Sequence, residues 1–167
     1  FASSVPLLHL PAFGQARTNP APQPKATLGL ERGTSEFQIG DYKLKLATET
    51  GVAVELHPKS HSSFDFLPSD RLTVRASDRF YHLGDVTFRV RKVGESNWTE
   101  GSTAIARKPV LKLATKPGVV DASDLTPTLP EGLPIKVVRT WGQTNGQLSL
   151  SFTITNTSPN PVEIGTL

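Results

Sequence analysis

The chain has 167 residues, which suits one domain with a sizeable core and leaves no room for a second independent one. Its 37% hydrophobic and 20% charged content, with 14 Pro and 13 Gly, reads as globular, rich in turns and poor in long helices. A net charge of +3 comes from basic residues scattered singly, Arg91-Lys92 and Arg107-Lys108 being isolated pairs, and this argues against a phosphate-binding stripe and against nucleic acid as a partner.

Residues 1–16, FASSVPLLHLPAFGQA, carry an apolar patch at Val5 to Leu10, with Gly14 and Ala16 at a cleavage-like spacing. They read either as the remnant of a secretory signal or as an arm that packs on something. The chain contains no methionine, so Phe1 is expected to follow processing or truncation. Residues 17–32 read as a linker, in which Pro20, Pro22 and Pro24 remove backbone donors and favour an extended course. The folded domain is expected over 33–167, as the first part of a longer protein.

Within it, Phe37 and Ile39, then Tyr42, Leu44 and Leu46, alternate on either side of Gly40-Asp41, the mark of a tight hairpin or a bulge. Val52, Val54 and Leu56 continue the pattern until Pro58, and a loop follows from Lys59 to Asp70. DVTFRVR puts Val86, Phe88 and Val90 on one face and Thr87, Arg89 and Arg91 on the other. PVLKLAT, PIKVVRTW and QLSLSFTIT read as further strands, the last with Leu148, Leu150, Phe152 and Ile154 inward. NTSPNP is expected to return the chain in a hairpin to a final strand, Val162 to Leu167, whose open edge calls for a continuation. Roughly ten short strands without βαβ alternation predict an all-β fold, an antiparallel two-sheet β-sandwich.

Motifs of small-molecule enzymes are missing: GxSxG, GxxxxGK[ST] and GxGxxG do not occur, and no cofactor is implied. His57 and His61 stand four apart, but Pro58 interrupts the spacing and no HExxH glutamate accompanies them, so no metal site is assigned. With no cysteine, thiolate chemistry and disulfides are unavailable. No stretch reaches the roughly 18 apolar residues of a membrane span. Asp65, Asp70, Asp78 and Asp85 are the carboxylates that could pair for glycoside hydrolysis, although beside Arg71, Arg75 and Arg79 they read as turn caps and ion pairs.

No residue is therefore assigned a catalytic role. Asp78, Arg79, Tyr81, His82 and Asp85 form a candidate domain-interface or cleft-rim segment, since charge and amphipathic rings converge there. Trp98 and Trp141 are candidates either for stacking on a sugar ring or for packing. Asn97-Trp98-Thr99 and Asn156-Thr157-Ser158 are N-glycosylation sequons in expected loops.

The blocks FDFLPSDRL, YHLGDVTFRVR, STAIARKPV, DLTPTLP and SPNPVEIGTL, in this order, resemble the N-terminal region of a family of secreted, largely fungal proteins of unknown function described as six-hairpin glycosidase-like. The resemblance covers about residues 33–167. It implies a β-sandwich ahead of an (α/α)6 toroid, similar to glucoamylase-like and phosphorylase-like enzymes, with the catalytic carboxylates in the toroid and none here. It further implies an extracellular location, a downstream helical domain of the same polypeptide as partner, and a polysaccharide as a further one. The alternative from another class is a stand-alone carbohydrate-binding or adhesion module.

Overall fold

The computed structural model describes residues 28–68, 72, 81–106 and 108–165. Ten strands run through them: β1 (Thr34–Ile39), β2 (Tyr42–Ala47), β3 (Ala53–Pro58), β4 (Thr87–Lys92), β5 (Thr99–Ser102), β6 (Leu111–Lys112), β7 (Val119–Asp124), β8 (Ile135–Thr144), β9 (Gln147–Asn156) and β10 (Val162–Gly165). Apart from Leu72, which is helical, helix among the described residues is confined to short 3-10 turns and one helical turn, Thr103–Ala106. No helix among the described residues is long and apolar enough to cross a membrane. The all-β expectation holds.

The strands form three antiparallel sheets, ordered β1-β2-β3, β10-β4-β5 and β6-β7-β8-β9. Two layers result, one of them split. Strand β8 shows why: Ile135, Val137, Arg139 and Trp141 alternate onto one face and are all buried, with Lys136 exposed between them. The first half of that row packs with Val86 and, on β4, with Phe88 and Val90, joined by Phe152, Ile154 and Val162. Trp141, at the other end, packs with Ile39, Leu44, Leu46, Ala53 and Leu56 of β1 to β3, joined by Leu148 and Leu150. The two small sheets thus share one face of the large one. A third cluster, Leu28, Ala47, Val52, Val54 and Leu72, buries more of the β2–β3 sheet.

Where the two small sheets meet the large one, Arg139 lies 1% exposed. Its guanidinium donates to the Gly84 carbonyl at 2.7 Å and to the Thr50 carbonyl at 2.6 Å, and the Trp141 indole N–H donates to the Gly51 carbonyl at 3.0 Å. One side chain therefore ties the β2–β3 turn to the loop before β4, using the rigid fork of donors that Arg provides. Gly84 is needed there: its φ is 108°, and a Cβ would stand 3.0 Å from the Trp141 ring and 3.3 Å from Arg139 Nη1.

Gly40-Asp41 is a tight hairpin, with Ile39 opposite Tyr42, and the β2–β3 register shifts between Lys45 and Leu46. The expected final hairpin does not form. β10 crosses to the other layer and pairs with β4, Val162 opposite Lys92 and Ile164 opposite Val90. The NTSPNP segment makes this crossing: Asn156 Oδ1 accepts from the Ser158 N–H and hydroxyl, and its Nδ2 donates to the Asn160 carbonyl, turning the chain before Pro161. The single expected strand PVLKLAT shrinks to the two residues of β6. β7, over VVDASD, is an additional strand whose inward residues are Asp121 and Ser123, opposite Trp141 and Arg139.

Candidate functional site

Among the described residues, the outer face of the β10-β4-β5 sheet gathers charged and aromatic side chains. Because Val86, Phe88 and Val90 are drawn into the core, Thr87, Arg89 and Arg91 must project the other way. Register then adds their neighbours: Glu100 lies opposite Arg89, Ser102 opposite Thr87, and Glu163 opposite Arg91. Arg91 Nε donates to Glu163 at 2.5 Å, and its guanidinium carbon stands 4.3 Å from the centroid of the Trp98 ring. The ring also reaches over Gly165, where a Cβ would be 3.2 Å away, so the absence of a side chain lets it lie close to the strand.

Trp98 is 38% exposed. Arg91 beneath it holds the ring by a cation–π contact and leaves aromatic surface turned to solvent. Near the other end of β4, the Tyr81 hydroxyl lies 3.1 Å from Ser102 Oγ while the residue remains 52% exposed. Tyr81, Thr87, Phe88, Arg89 and Glu100 enclose a hollow of about 200 Å³. Residues 87 and 91 are separated by about 13 Å at roughly 3.3 Å per residue. Two rings thus flank a strip of opposite charges on one sheet face.

Trp141 is not part of any such surface. It is 0% exposed with its N–H satisfied by Gly51, so of the two readings of this residue the structure shows packing and excludes stacking on an external sugar. The segment around Tyr81 also divides. His82 is 8% exposed, and Asp85 turns back: its Oδ2 accepts the His82 N–H at 2.7 Å and its Oδ1 accepts the Thr103 hydroxyl at 2.8 Å. These two residues shape the loop, and Tyr81 with Leu83 presents its outer side. Asp70, Asp78, Arg71, Arg75 and Arg79 lie outside the described residues.

Asp65 serves the same structural purpose, its Oδ1 accepting the N–H groups of Leu56 and Leu67 at 3.0 and 2.8 Å. His57 stands 3.6 Å from Glu55 and 3.7 Å from Asp65, whereas His61 contacts Ser60, so the two histidines have different partners. Among the described residues no three His, Asp or Glu side chains are grouped to hold a metal ion. Asn97 sits in an exposed loop beside Trp98, while Asn156 has both amide atoms engaged in the turn described above.

Sequence reasoning missed Arg139, the largest polar contributor to the interior, although its place between Val137 and Trp141 on an alternating strand put it on the inward face. Another missed feature is the polar seam beside it. Lys112 pairs with Asp121 and approaches Ser123 at 3.4 Å, and Ser123 donates to Asp121 at 2.9 Å. At the end of β7, burial pushes the Asp124 carboxyl up, but the Thr126 hydroxyl and N–H, together with the Lys136 ammonium 3.1 Å away, outweigh it and hold the group below its ordinary value.

Residues 45–167 match the model of a family of unknown function, DUF5695. No curated protein and no solved structure matches the chain.

Proposed function

The chain belongs to the DUF5695 family of unknown function, and from the resemblance of its sequence blocks to six-hairpin glycosidase-like proteins, taken with its exposed surface, we propose that it is a non-catalytic β-sandwich domain of a secreted carbohydrate-active protein, a glycoside hydrolase in which a downstream (α/α)6 domain supplies the catalysis. The observation that supports the glycan contact in this reading is the Trp98 face. A pyranose presents an apolar C–H face that stacks on an indole ring, and equatorial hydroxyls that bond to guanidinium and carboxylate groups at the ring's margin. Trp98 offers the ring, Arg89 and Glu100 the margin, and Tyr81, in the loop before β4, a second ring. On this reading the domain holds polysaccharide near the helical domain that cleaves it. Domain-interface contact through the loop bearing Tyr81 and Leu83 belongs to the same proposal, since both side chains are exposed there.

A stand-alone carbohydrate-binding module would use the same face. The two differ in what the domain does for its neighbour, not in how it meets a glycan. Affinity electrophoresis of the full chain through gels containing a panel of soluble polysaccharides tests the shared element. Retardation by at least one polysaccharide is expected, and Trp98→Ala should weaken it about tenfold or more, in line with the loss of one stacked ring. Circular dichroism checks that the variant stays folded. No retardation by any polysaccharide, or equal retardation of the variant, would sink the reading.

A further inference from the structure

The sheet edges of this molecule are not alike. Edge strand β1 carries Glu36, β3 carries Glu55, His57 and Pro58, β5 is four residues long with Glu100, β10 is four residues long with Glu163, and β6 is two residues long with Lys112. Charges, proline and short length are the devices that keep an open edge from pairing with another chain. The remaining edge, β9, has none of them. Gln147–Asn156 runs for ten residues with no charged side chain and no proline.

Its unpaired groups can be placed. β8 and β9 are joined by the two-residue turn Asn145–Gly146, both at positive φ, which closes on the pair Thr144 and Gln147. In such a hairpin the closing pair is hydrogen-bonded and alternate pairs are not. The backbone N–H and C=O groups of Leu148, Leu150, Phe152 and Ile154 therefore point away from β8, toward the free edge. No described strand pairs with them. The same four side chains face inward, only half buried, beside cavities of about 680 Å³ at Leu148 and about 500 Å³ at Phe152 and Ile154.

We propose that β9 pairs antiparallel with β9 of a second copy of this chain, about a two-fold axis at Ser151, joining the two four-stranded sheets into one. The sequence is complementary to itself in that register. Leu148 meets Ile154 of the other copy and Leu150 meets Phe152, apolar on apolar and each a hydrogen-bonded pair with two bonds. On the outer face Ser149 meets Thr153 and Ser151 meets Ser151, hydroxyl on hydroxyl, and no charge is opposed anywhere along the strand. Such an isologous contact closes on itself and yields a dimer, not a fibre. It is independent of the glycan reading, because the Trp98 face lies on a different sheet.

Analytical ultracentrifugation of the full chain across the micromolar range tests this. A reversible dimer is expected. Ser151→Lys places two ammonium groups opposite each other on the exposed outer face, and should weaken association about tenfold or more while leaving the circular dichroism unchanged. Because the chain has no cysteine, Ser151→Cys should cross-link on mild oxidation, its Cβ atoms facing across the axis, and Ser149→Cys should not. A monomer at every concentration, a dimer indifferent to Ser151→Lys, or equal cross-linking at 149 and 151 would overturn the proposal. A monomer that instead captures a strand-forming peptide would also overturn it, assigning the edge to another polypeptide.

Discussion

The molecule contains two arginine–tryptophan pairs, and they do opposite things. Arg139 and Trp141 are neighbours on the inward row of β8, fully buried, and both spend their N–H donors on backbone carbonyls of the facing layer. Arg91 and Trp98 lie on the outside of another sheet, where the arginine pairs with Glu163 and supports a ring that stays open to solvent. In the first pair the residues are consumed by architecture. In the second, the arginine fixes the ring's position and its surface remains available. The same two residue types thus mark a joint in one place and an exposed face in the other, and burial separates them.

Substitutions at the buried pair should cost stability. Trp141→Ala removes the largest side chain of its cluster and leaves the Gly51 carbonyl unanswered, and should destabilise the fold by about 3–5 kcal/mol in urea titration. Arg139→Lys keeps the charge, but a single ammonium cannot reach the Thr50 and Gly84 carbonyls with the same fork, so a loss of about 2 kcal/mol is expected by the same measurement. If Arg139→Lys were silent, the joint between the two small sheets would have to rest on apolar packing alone.

Asp124→Asn sharpens the comparison at the end of β7, in the same sheet. The carboxyl is held below its ordinary value, so it favours the folded state above the range where an unfolded carboxyl titrates, and that advantage is lost as pH falls through the lowered folded value. Wild type should therefore exceed Asp124→Asn by about 1 kcal/mol at neutral pH, with the gap closing in acid. Trp98→Ala should cost least, about 0.5–1 kcal/mol for the lost cation–π contact, while weakening the proposed glycan binding about tenfold or more. A large stability loss there would make Trp98 a second structural tryptophan and erase the contrast.

How far the sequence discloses this follows from which residues alternate cleanly. Strands β1 to β4 and β9 are legible because apolar side chains recur at alternate positions, and β8 because Ile135, Val137 and Trp141 keep that period around Arg139. β7 is not, because its inward positions hold Asp121 and Ser123, which bury their polarity against Lys112 and break the apolar period. The partner of β10 is also hidden: a hairpin and a crossing of layers begin with the same Pro- and Asn-rich loop, and only the Asn156 turn selects the second. At the site, the exposed ring of Trp98 and the buried one of Trp141 carry the same weight as letters. Their difference arises from strand direction and register, through the row Ile135, Val137, Arg139, Trp141 in one case and the Arg91–Gly165 surface in the other.

The central claim is that Trp98, and not Trp141, meets a glycan. Iodide quenching of tryptophan emission in the unmodified chain tests it directly, since the charged quencher reaches the exposed ring and not the buried one. With a retained polysaccharide added, the quenchable fraction should fall, because the sugar covers Trp98. An unchanged quenchable fraction in the presence of bound polysaccharide would contradict the claim and place the glycan elsewhere on the molecule.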